Sequence, residues 1–282
     1  MNITRRQFLS KLSTTVATGG FVALGYSVVI EPHWLEFPVV NMPIKNLPSH
    51  LEGKTLVQIS DVHIGKRVDN DYILESFKQT QALNPDFVVY TGDFVAFDDK
   101  SYDQLKVMMP QGPKGKLGTV AILGNHDYGH AWREVDVADN ITAILEDSGI
   151  RTLLNEVEDF SGLKIGGMED FWSPRFFPEK VTKNIQAEDA AIVLCHNPDG
   201  VDQEGWGDYQ GWVLSGHTHG GQCKPPFLPP PVLPVRNYRY SAGLIDLEDG
   251  RMLYINRGLG HLFRLRFNVR PEITVFKLSA AA

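Results

Sequence analysis

Two histidines separated by a single residue, His217 and His219, follow a short apolar run over residues 211–214 and are bordered by Gly216 and Gly220. The apolar run predicts a strand, so both histidines lie where that strand leaves the core. Neutral imidazole is the commonest nitrogen ligand of transition metals. Alternate residues at a strand end can point to the same side, so the pair could offer two nitrogens to one metal. Taken alone, the pair could equally form an ordinary polar turn.

Four further polar clusters support the interpretation as a metal site, because each of them also follows an apolar run. The sets in chain order are Asp61 with His63, Gly92 with Asp93, Gly124-Asn125-His126-Asp127, and the single His196. In the first half, predicted strands alternate with predicted helices over residues 70–82, 102–109 and 131–148, which indicates a layered α/β domain. Ligands of such sheets collect beyond the carboxyl ends of the strands, where these clusters fall.

The second half is richer in strands. Residues around 163–165 suggest a hairpin, and residues 242–247 and 252–256 predict another hairpin, with Asp249 and Gly250 in its turn. A last strand is predicted over residues 272–278. We divide the chain into a targeting segment (residues 1–30), a Pro-rich lead-in without clear periodicity (31–53) and one catalytic domain (54–282).

The N-terminus predicts a targeting segment. Thr4-Arg5-Arg6-Gln7-Phe8-Leu9-Ser10-Lys11 has the form of a twin-arginine export signal, and an uncharged run follows over residues 12–30. No clear cleavage site precedes Glu31, and the run is long enough to span a bilayer, so retention as an anchor stays open. We expect the twin-arginine translocase to export the protein to a periplasmic or extracytoplasmic location, either released or membrane-anchored.

Composition excludes some classes of function. The chain has 27 basic and 34 acidic residues, a formal charge of −7, which argues against nucleic acid as a binding partner. Its two cysteines, Cys195 and Cys223, form neither a disulfide framework nor a zinc-finger spacing. Two free thiols fit this pattern better than a single bridge does.

The five polar clusters, in this order, resemble those of the calcineurin-like metallophosphoesterases over roughly residues 54–278. The twin-arginine start and five stretches further resemble the exported branch of that family: residues 31–35, 60–65, 220–222, 257–260 and 270–274. This branch includes cell-wall-associated phosphoesterases of Bacillus and the UDP-2,3-diacylglucosamine pyrophosphatases of lipid A synthesis. The resemblance implies a four-layered α/β/β/α sandwich that carries a dinuclear metal centre.

The resemblance also implies a role for each cluster residue. Asp93 would bridge two divalent cations, the first completed by Asp61, His63 and His219, and the second by Asn125, His196 and His217. This oxygen and nitrogen shell suits Mn, Fe or Zn. A metal-bridging hydroxide would then hydrolyse a phosphodiester or diphosphate bond. His126 would donate a proton to the leaving oxygen, with Asp127 orienting its ring.

Simpler structural interpretations remain for several of these residues. Asp61 and Asp93 could cap helices, Asn125 could be a turn residue, His196 a satisfied buried histidine, and Asp127 a cap of the following segment. Among enzymes, a broad phosphodiesterase competes with a UDP-2,3-diacylglucosamine pyrophosphatase. The alternative from another class is a cell-wall or membrane-binding protein with a structural metal centre. The presence of His126 beside an intact ligand set favours an enzyme.

A Pro-rich stretch over residues 225–234 directly follows the His217 and His219 cluster. It contains six prolines, and its other four residues are apolar. We expect it to be extended and to border the mouth of the site. One hypothesis is that it contacts a lipid surface or the acyl chain of a lipid-linked phosphoester. The alternative is a rigid loop packed on the core of its own domain.

Overall fold

The computed structural model describes residues 4–5, 11, 18–96 and 102–281. Two six-stranded sheets pack face to face in the described part of the chain. The first sheet runs in the order β1-β12-β2-β3-β4-β5, with the bounds β1 Val39–Ile44, β2 Thr55–Ile59, β3 Phe87–Thr91, β4 Gly118–Ile122, β5 Arg151–Thr152 and β12 Thr274–Ala280.

The second sheet runs in the order β10-β11-β9-β8-β7-β6. Its strands are β6 Glu156–Phe160, β7 Leu163–Gly167, β8 Ala190–Leu194, β9 Trp212–Ser215, β10 Gly243–Asp246 and β11 Met252–Ile255. Both predicted hairpins are present, since β6 pairs with β7 and β10 with β11 in antiparallel fashion.

Helices form the outer layers. Three helices, α1 (Asn70–Ala82), α2 (Tyr102–Met108) and α3 (Val135–Asp147), bury apolar side chains on the outer face of the first sheet. The short α4 (Glu179–Thr182) and several loops cover the second sheet. This arrangement confirms the predicted four-layered α/β/β/α sandwich. The single-turn elements are Tyr26–Ile30, Glu31–His33, Ser49–Leu51, Met109–Gln111, Asn125–Tyr128, His130–Trp132, Pro198–Asp202 and His219–Gly221.

Strand alternation explains how one sequence builds two hydrophobic layers. In β3, Phe87 and Val89 enter the core between the sheets, whereas Val88 and Tyr90 pack beneath the helices. Successive side chains of a strand point to opposite faces, and both faces of this strand are covered. All five residues of β3 are therefore buried, as expected of a strand in the middle of a layered domain.

Parallel pairing determines where the site forms. In the first sheet β2, β3 and β4 are parallel neighbours, and in the second sheet β7, β8 and β9 are parallel neighbours. Their carboxyl ends therefore meet along one edge of the sandwich. Gln58 links the two sheets beside this edge by hydrogen bonds. Its Nε2 donates to Thr91 Oγ1 in the first sheet (3.0 Å) and to the Ser215 carbonyl oxygen in the second (2.9 Å).

One detail of the sequence interpretation is corrected. Residues 39–44, assigned to an irregular lead-in, form β1 and pair in parallel with β12 at the edge of the first sheet. Helix α1 is capped by Asp69, whose side chain accepts hydrogen bonds from the backbone amides of Asp71 and Tyr72. The division of the chain into segments 1–30, 31–53 and 54–282 otherwise stays a prediction.

The predicted export signal lies mostly outside the described residues, which include only Thr4, Arg5 and Lys11 of its motif. Residues 18–25 are helical and lead into the turn at Tyr26–Ile30. Within the described residues, no helix combines the length and the apolar character needed to cross a membrane.

Candidate metal centre

The loops after β2 and β9 bring the first group of ligands together. Asp61, His63 and His219 each offer one atom, and these three atoms lie within 4.8 Å of one another. His219 Nε2 is 3.3 Å from Asp61 Oδ1 and 3.0 Å from His63 Nε2. All three side chains are buried. Two rings and a carboxylate therefore converge on one point, as a cation site requires.

A second group comes from the loops after β3, β8 and β9. Asp93, His196 and His217 also place one atom each within 4.8 Å of one another. Asp93 Oδ2 lies 3.3 Å from His196 Nε2, and the same oxygen lies 3.8 Å from His63 Nε2 in the first group. Asp93 is therefore located between the two groups, and together they fit a dinuclear metal centre.

Backbone carbonyls fix which ring nitrogen faces the second site. His196 Nδ1 lies 2.6 Å from the Thr91 carbonyl oxygen, so this nitrogen carries the proton and leaves Nε2 directed at Asp93. His217 Nε2 lies 3.0 Å from the Pro234 carbonyl oxygen, which leaves Nδ1 as the nitrogen available to a cation. Such outer hydrogen bonds orient metal-binding imidazoles.

Asn125 supplies an independent test of whether the residues fit a cation. Its Oδ1 is buried and has no hydrogen-bond partner among the described residues. The neighbouring amide of His126 donates to Asp93 Oδ1 (2.9 Å), which holds this turn against the second group. A buried carbonyl oxygen without a partner is costly, and coordination of a cation would satisfy it. The donor set therefore fits the predicted second metal.

An unusual backbone conformation holds the ligands. Five of the seven predicted metal ligands have positive φ, between 49° and 70°: Asp61, His63, Asp93, His217 and His219. Residues with a Cβ rarely adopt this left-handed region, and each such position costs about 1–3 kcal/mol. Here it turns consecutive side chains back toward one centre at the strand ends. This concentration of strain is typical of a functional site.

Two motif glycines are required by close approach. A Cβ on Gly124 would collide with Asp93 Oδ1 and would lie 2.7 Å from His196 Cε1. A Cβ on Gly216 would collide with Ser60 Oγ and Asp61 Oδ2. These glycines let the backbone pack directly on the site carboxylates.

Burial and neighbouring charges set the protonation of the centre before cations bind. Burial lowers the pKa of His63 and of His217 to about 3, so both rings are neutral at pH 7. Burial opposes ionisation of Asp93, but His196 and His126 hold the pKa of Asp93 well below its usual value. Burial likewise disfavours the charged ring of His196, but Asp93 raises the pKa of His196 to about 10. Binding of a cation by Asp93 and His196 would therefore displace a proton from this pair.

The predicted proton donor borders the ligands without belonging to either group. The His126 ring packs edge-on against His63, with centroids 5.0 Å apart. Its exposed fraction of 7% is the largest among the nine predicted site residues. A group that protonates a leaving oxygen must be able to reach the substrate, and this position allows it.

Asp127 has hydrogen bonds that the sequence did not suggest. Its Oδ1 accepts from the amides of Phe94 (2.8 Å) and Val95 (3.2 Å), and its Oδ2 accepts from the Gly124 amide (2.9 Å). Asp127 therefore ties the loop after β3 to the loop after β4. Its predicted role in orienting His126 stays a prediction.

A further acidic position, which the sequence pattern did not predict, lies shortly after β7. Asp170 is fully buried, its Oδ2 accepts from the Trp172 amide (2.8 Å), and burial raises its pKa to about 6. The Trp172 ring packs edge-on against His217 at 4.8 Å between centroids. The only sequence signal was one acidic pair, Glu169 and Asp170, after an apolar strand.

Trp172 also forms a wall of a cleft beside the second group. The cleft has a volume of about 670 Å³ and is lined by Ala131, Trp132, Arg133, Phe171, Trp172, Ser173, Pro174 and Arg236. Trp132 and Trp172 pack with centroids 4.6 Å apart, and the Arg236 guanidinium lies 5.7 Å from the Phe171 ring centroid. Aromatic faces and arginines suit a phosphoester that carries a large organic group.

Neither cysteine forms a disulfide in this arrangement. Cys195 is buried beside the second group, Cys223 is half-buried, and both are free thiols. Cys195 Sγ lies 3.4 Å from the Asn197 carbonyl oxygen. This geometry agrees with two free thiols rather than a bridge.

Two facing sheets with two ligand groups at one edge fit the class of metallophosphoesterases with a dinuclear centre. The sequence model of the calcineurin-like phosphoesterases matches residues 54–221, a span that contains all nine predicted site residues. The chain therefore belongs to the calcineurin-like phosphoesterase family and is a metal-dependent phosphohydrolase.

Several relatives are similar over almost their whole length. Phosphodiesterase YaeI of Escherichia coli (strain K12) is 30% identical over 290 residues, covering 98% of this chain and 99% of that protein. The uncharacterized metallophosphoesterase YkuE of Bacillus subtilis (strain 168) is 31% identical over 297 residues, covering 99% and 98%. UDP-2,3-diacylglucosamine pyrophosphatase LpxG of Chlamydia trachomatis is 27% identical over 322 residues, covering 94% and 95%.

Proposed function

We propose that the chain hydrolyses a phosphodiester or diphosphate bond at a centre in which Asp93 is shared by two divalent cations. The observation that carries this proposal is the position of Asp93, whose Oδ2 lies 3.3 Å from His196 Nε2 and 3.8 Å from His63 Nε2. A carboxylate between two ligand groups is the arrangement that a two-metal phosphoesterase needs.

The predicted site residues would have separate roles in binding the cations and in transferring a proton. Two cations, when bound, would supply positive charge to the phosphoryl oxygens and lower the pKa of a water molecule. Asp61, His63 and His219 would hold one cation, and Asn125, His196 and His217 the other. His126 would donate a proton to the oxygen of the leaving group, and burial of the surrounding ligands would exclude bulk water.

The substrate side of the proposal rests on the cleft. Its tryptophans and arginines adjoin His217 through Trp172, so the organic part of a phosphoester could lie there while its phosphorus faces the metal centre. A broad phosphodiesterase is our first assignment. A UDP-2,3-diacylglucosamine pyrophosphatase of lipid A biosynthesis is the second, supported by the similarity to LpxG. In that case the substrate is lipid-linked.

For the cations we propose Mn, Fe or Zn, because four imidazoles, two carboxylates and one amide oxygen supply nitrogen and oxygen but no sulfur. A wall- or membrane-binding protein with a purely structural metal centre is the alternative from another class. His126 argues against it, since a structural centre has no use for an additional imidazole that lies beside the ligands and belongs to neither group.

For location, we propose export by the twin-arginine translocase to a periplasmic, extracytoplasmic or membrane-anchored position. This rests on the Arg5-Arg6 motif and the uncharged run over residues 12–30. That pathway carries folded proteins, which suits an enzyme that could load its cations before export.

Parallel assays would test the assignment. Protein reconstituted with Mn²⁺, Fe²⁺ or Zn²⁺ is given bis-(p-nitrophenyl) phosphate, p-nitrophenyl phosphate or a UDP-2,3-diacylglucosamine. A phosphodiesterase turns over the first faster than the second. Preference for the third identifies the pyrophosphatase. Failure to hydrolyse any of the three with any of the metals would contradict the proposal and favour a structural centre.

A further inference from the structure

Large apolar side chains are exposed on three segments outside the metal centre. Five of them lie on the N-terminal helical segment, three in the Pro-rich stretch and one on the loop before β12. We call these nine residues the apolar rim: Phe21, Val22, Leu24, Val29 and Ile30, then Phe227, Leu228 and Val232, and Phe263. Phe227 is 104% exposed and Phe263 is 72% exposed. Exposed apolar side chains on neighbouring segments mark an interaction site.

Hydrogen bonds place the three segments side by side. The Lys224 amide donates to the Phe267 carbonyl oxygen (2.9 Å), and Gln222 Nε2 donates to the Phe263 carbonyl oxygen (2.9 Å). On the other side, the Arg266 amide donates to the Ser27 carbonyl oxygen (2.9 Å). The loop around Phe263 therefore lies between the Pro-rich stretch and the N-terminal helical segment.

The Pro-rich stretch is only partly anchored to its own domain. Pro230 and Leu233 are buried, whereas Phe227, Leu228 and Val232 point into solvent. Prolines restrict the backbone, so these apolar side chains are presented with little conformational freedom to lose on binding. Packing on the core accounts for the apolar character of Pro230 and Leu233, but not for that of the three exposed residues.

The charge around the rim selects one partner. The chain carries −7 overall, but residues 1–30, 209–245 and 250–271 contain no Asp or Glu. Exposed Lys224 and Arg264 lie in the same two loops as Phe227 and Phe263. Exposed apolar side chains beside exposed basic residues, in segments whose own sequence contains no acidic residue, match the interfacial region of a bilayer that contains anionic lipids.

We propose that the apolar rim docks the folded protein onto an anionic phospholipid bilayer. The rim's side chains enter the boundary between headgroups and acyl chains, and Lys224 and Arg264 contact lipid phosphates. Two parts of the rim are close to the ligand His219. Phe227 lies eight residues after His219 in the chain. Buried Arg266 donates its amide to Ser27 of the N-terminal segment, and its Nη2 lies 3.5 Å from His219 Nδ1. Docking therefore brings the metal centre to the membrane surface. The inference does not depend on which phosphoester is hydrolysed.

Vesicle sedimentation of the full chain tests this. We compare wild type with Phe227→Ser/Leu228→Ser and with the matched control Leu83→Ser/Val107→Ser, which changes exposed apolar residues away from the rim. Vesicles are phosphatidylcholine with or without phosphatidylglycerol. For the anionic vesicles we expect the partition coefficient of the rim variant to fall at least about tenfold, with the control unchanged. Added salt should weaken wild-type binding.

Turnover of bis-(p-nitrophenyl) phosphate and the thermal unfolding midpoint should match wild type in both variants, which shows that folding is intact. Equal partitioning of the rim variant and the control would overturn the inference. So would a concentration-dependent dimer of the wild type that the rim variant loses while its vesicle binding is unchanged, because the partner would then be a second copy of the chain.

Discussion

The ring of His217 is fixed by Pro234: its Nε2 lies 3.0 Å from that carbonyl oxygen, at the end of the Pro-rich stretch. The same ring packs edge-on with Trp172 at a centroid distance of 4.8 Å. One predicted ligand thus joins the metal centre, the cleft and the Pro-rich loop. Substitution of Trp172 or displacement of Pro234 should therefore change the affinity for the second cation.

Gly124→Ala should strongly reduce activity although no ligand is changed. Its methyl group would overlap the Asp93 carboxylate and approach His196, so the backbone must shift and the second group must open. Metal content by elemental analysis should fall below that of wild type, and turnover should fall about 10–100-fold, the scale for losing the support of a metal ligand. Gly25→Ala, where a Cβ meets nothing within 4 Å, is the control and should behave as wild type. A fully active Gly124→Ala enzyme would show that the centre is more open than described.

Asp170→Ala should change substrate binding more than the chemical step. Without the Oδ2 that accepts from the Trp172 amide, the cleft wall beside His217 is displaced. We expect KM for bis-(p-nitrophenyl) phosphate to rise about tenfold, the scale of a lost buried hydrogen bond, with kcat changed less. Asp170→Asn keeps an acceptor for that amide and should restore most of the affinity. If the asparagine variant is as impaired as the alanine variant, the charge of Asp170 matters and not its positioning role.

The clustering of predicted ligands at one edge was accessible from sequence because each polar cluster lies directly after an apolar strand, whereas the role of each residue came from the family resemblance. Parallel neighbours bring such strand ends to one edge, as Asp61 after β2 and Asp93 after β3 illustrate. The positive φ of these residues was not predictable, because it depends on the loops they contact. Asp170 escaped notice since a lone acidic pair has no distinctive spacing. Strand β1 was missed because it contains Pro43 and pairs only with β12, far away in the chain.

Asp86 should stabilise the fold in a pH-dependent way. Burial raises its pKa, but the hydrogen bond from the Thr55 amide and the contact with Lys116 outweigh this and lower the pKa below its usual value. A carboxyl group whose pKa is lowered by folding stabilises the folded state at pH values above its pKa in the unfolded chain, which is about 3.9. This contribution is lost as the pH falls through the pKa of the folded state.

We therefore expect Asp86→Asn to be about 1–2 kcal/mol less stable than wild type at pH 7, with the difference shrinking below about pH 4. Lys54 and Lys116 are 40% and 48% exposed, so solvent screens their share, and Lys116→Ala should cost less than about 1 kcal/mol. Urea unfolding across this pH range measures both. A difference between wild type and Asp86→Asn that is constant with pH would contradict the assignment.

The double change Arg5→Lys/Arg6→Lys should leave a folded, active enzyme inside the cell and remove it from the exported fraction. The twin-arginine translocase reads the arginine pair itself, so conservation of charge does not suffice. Cell fractionation with an activity assay measures this, with Lys11→Arg as the control that exports normally. Normal export of the double variant would mean that the N-terminus acts as an ordinary anchor.

The central claim is that Asp93 holds two cations and His126 transfers a proton. The most direct measurement is metal content beside turnover of bis-(p-nitrophenyl) phosphate for wild type, Asp93→Ala and His126→Ala. We predict that Asp93→Ala loses both metal and activity, because Asp93 lies between both ligand groups. His126→Ala should keep its metal and lose about 10²–10⁴-fold in rate, more for a poorer leaving group. Loss of metal from His126→Ala to the same extent as from Asp93→Ala would contradict the account.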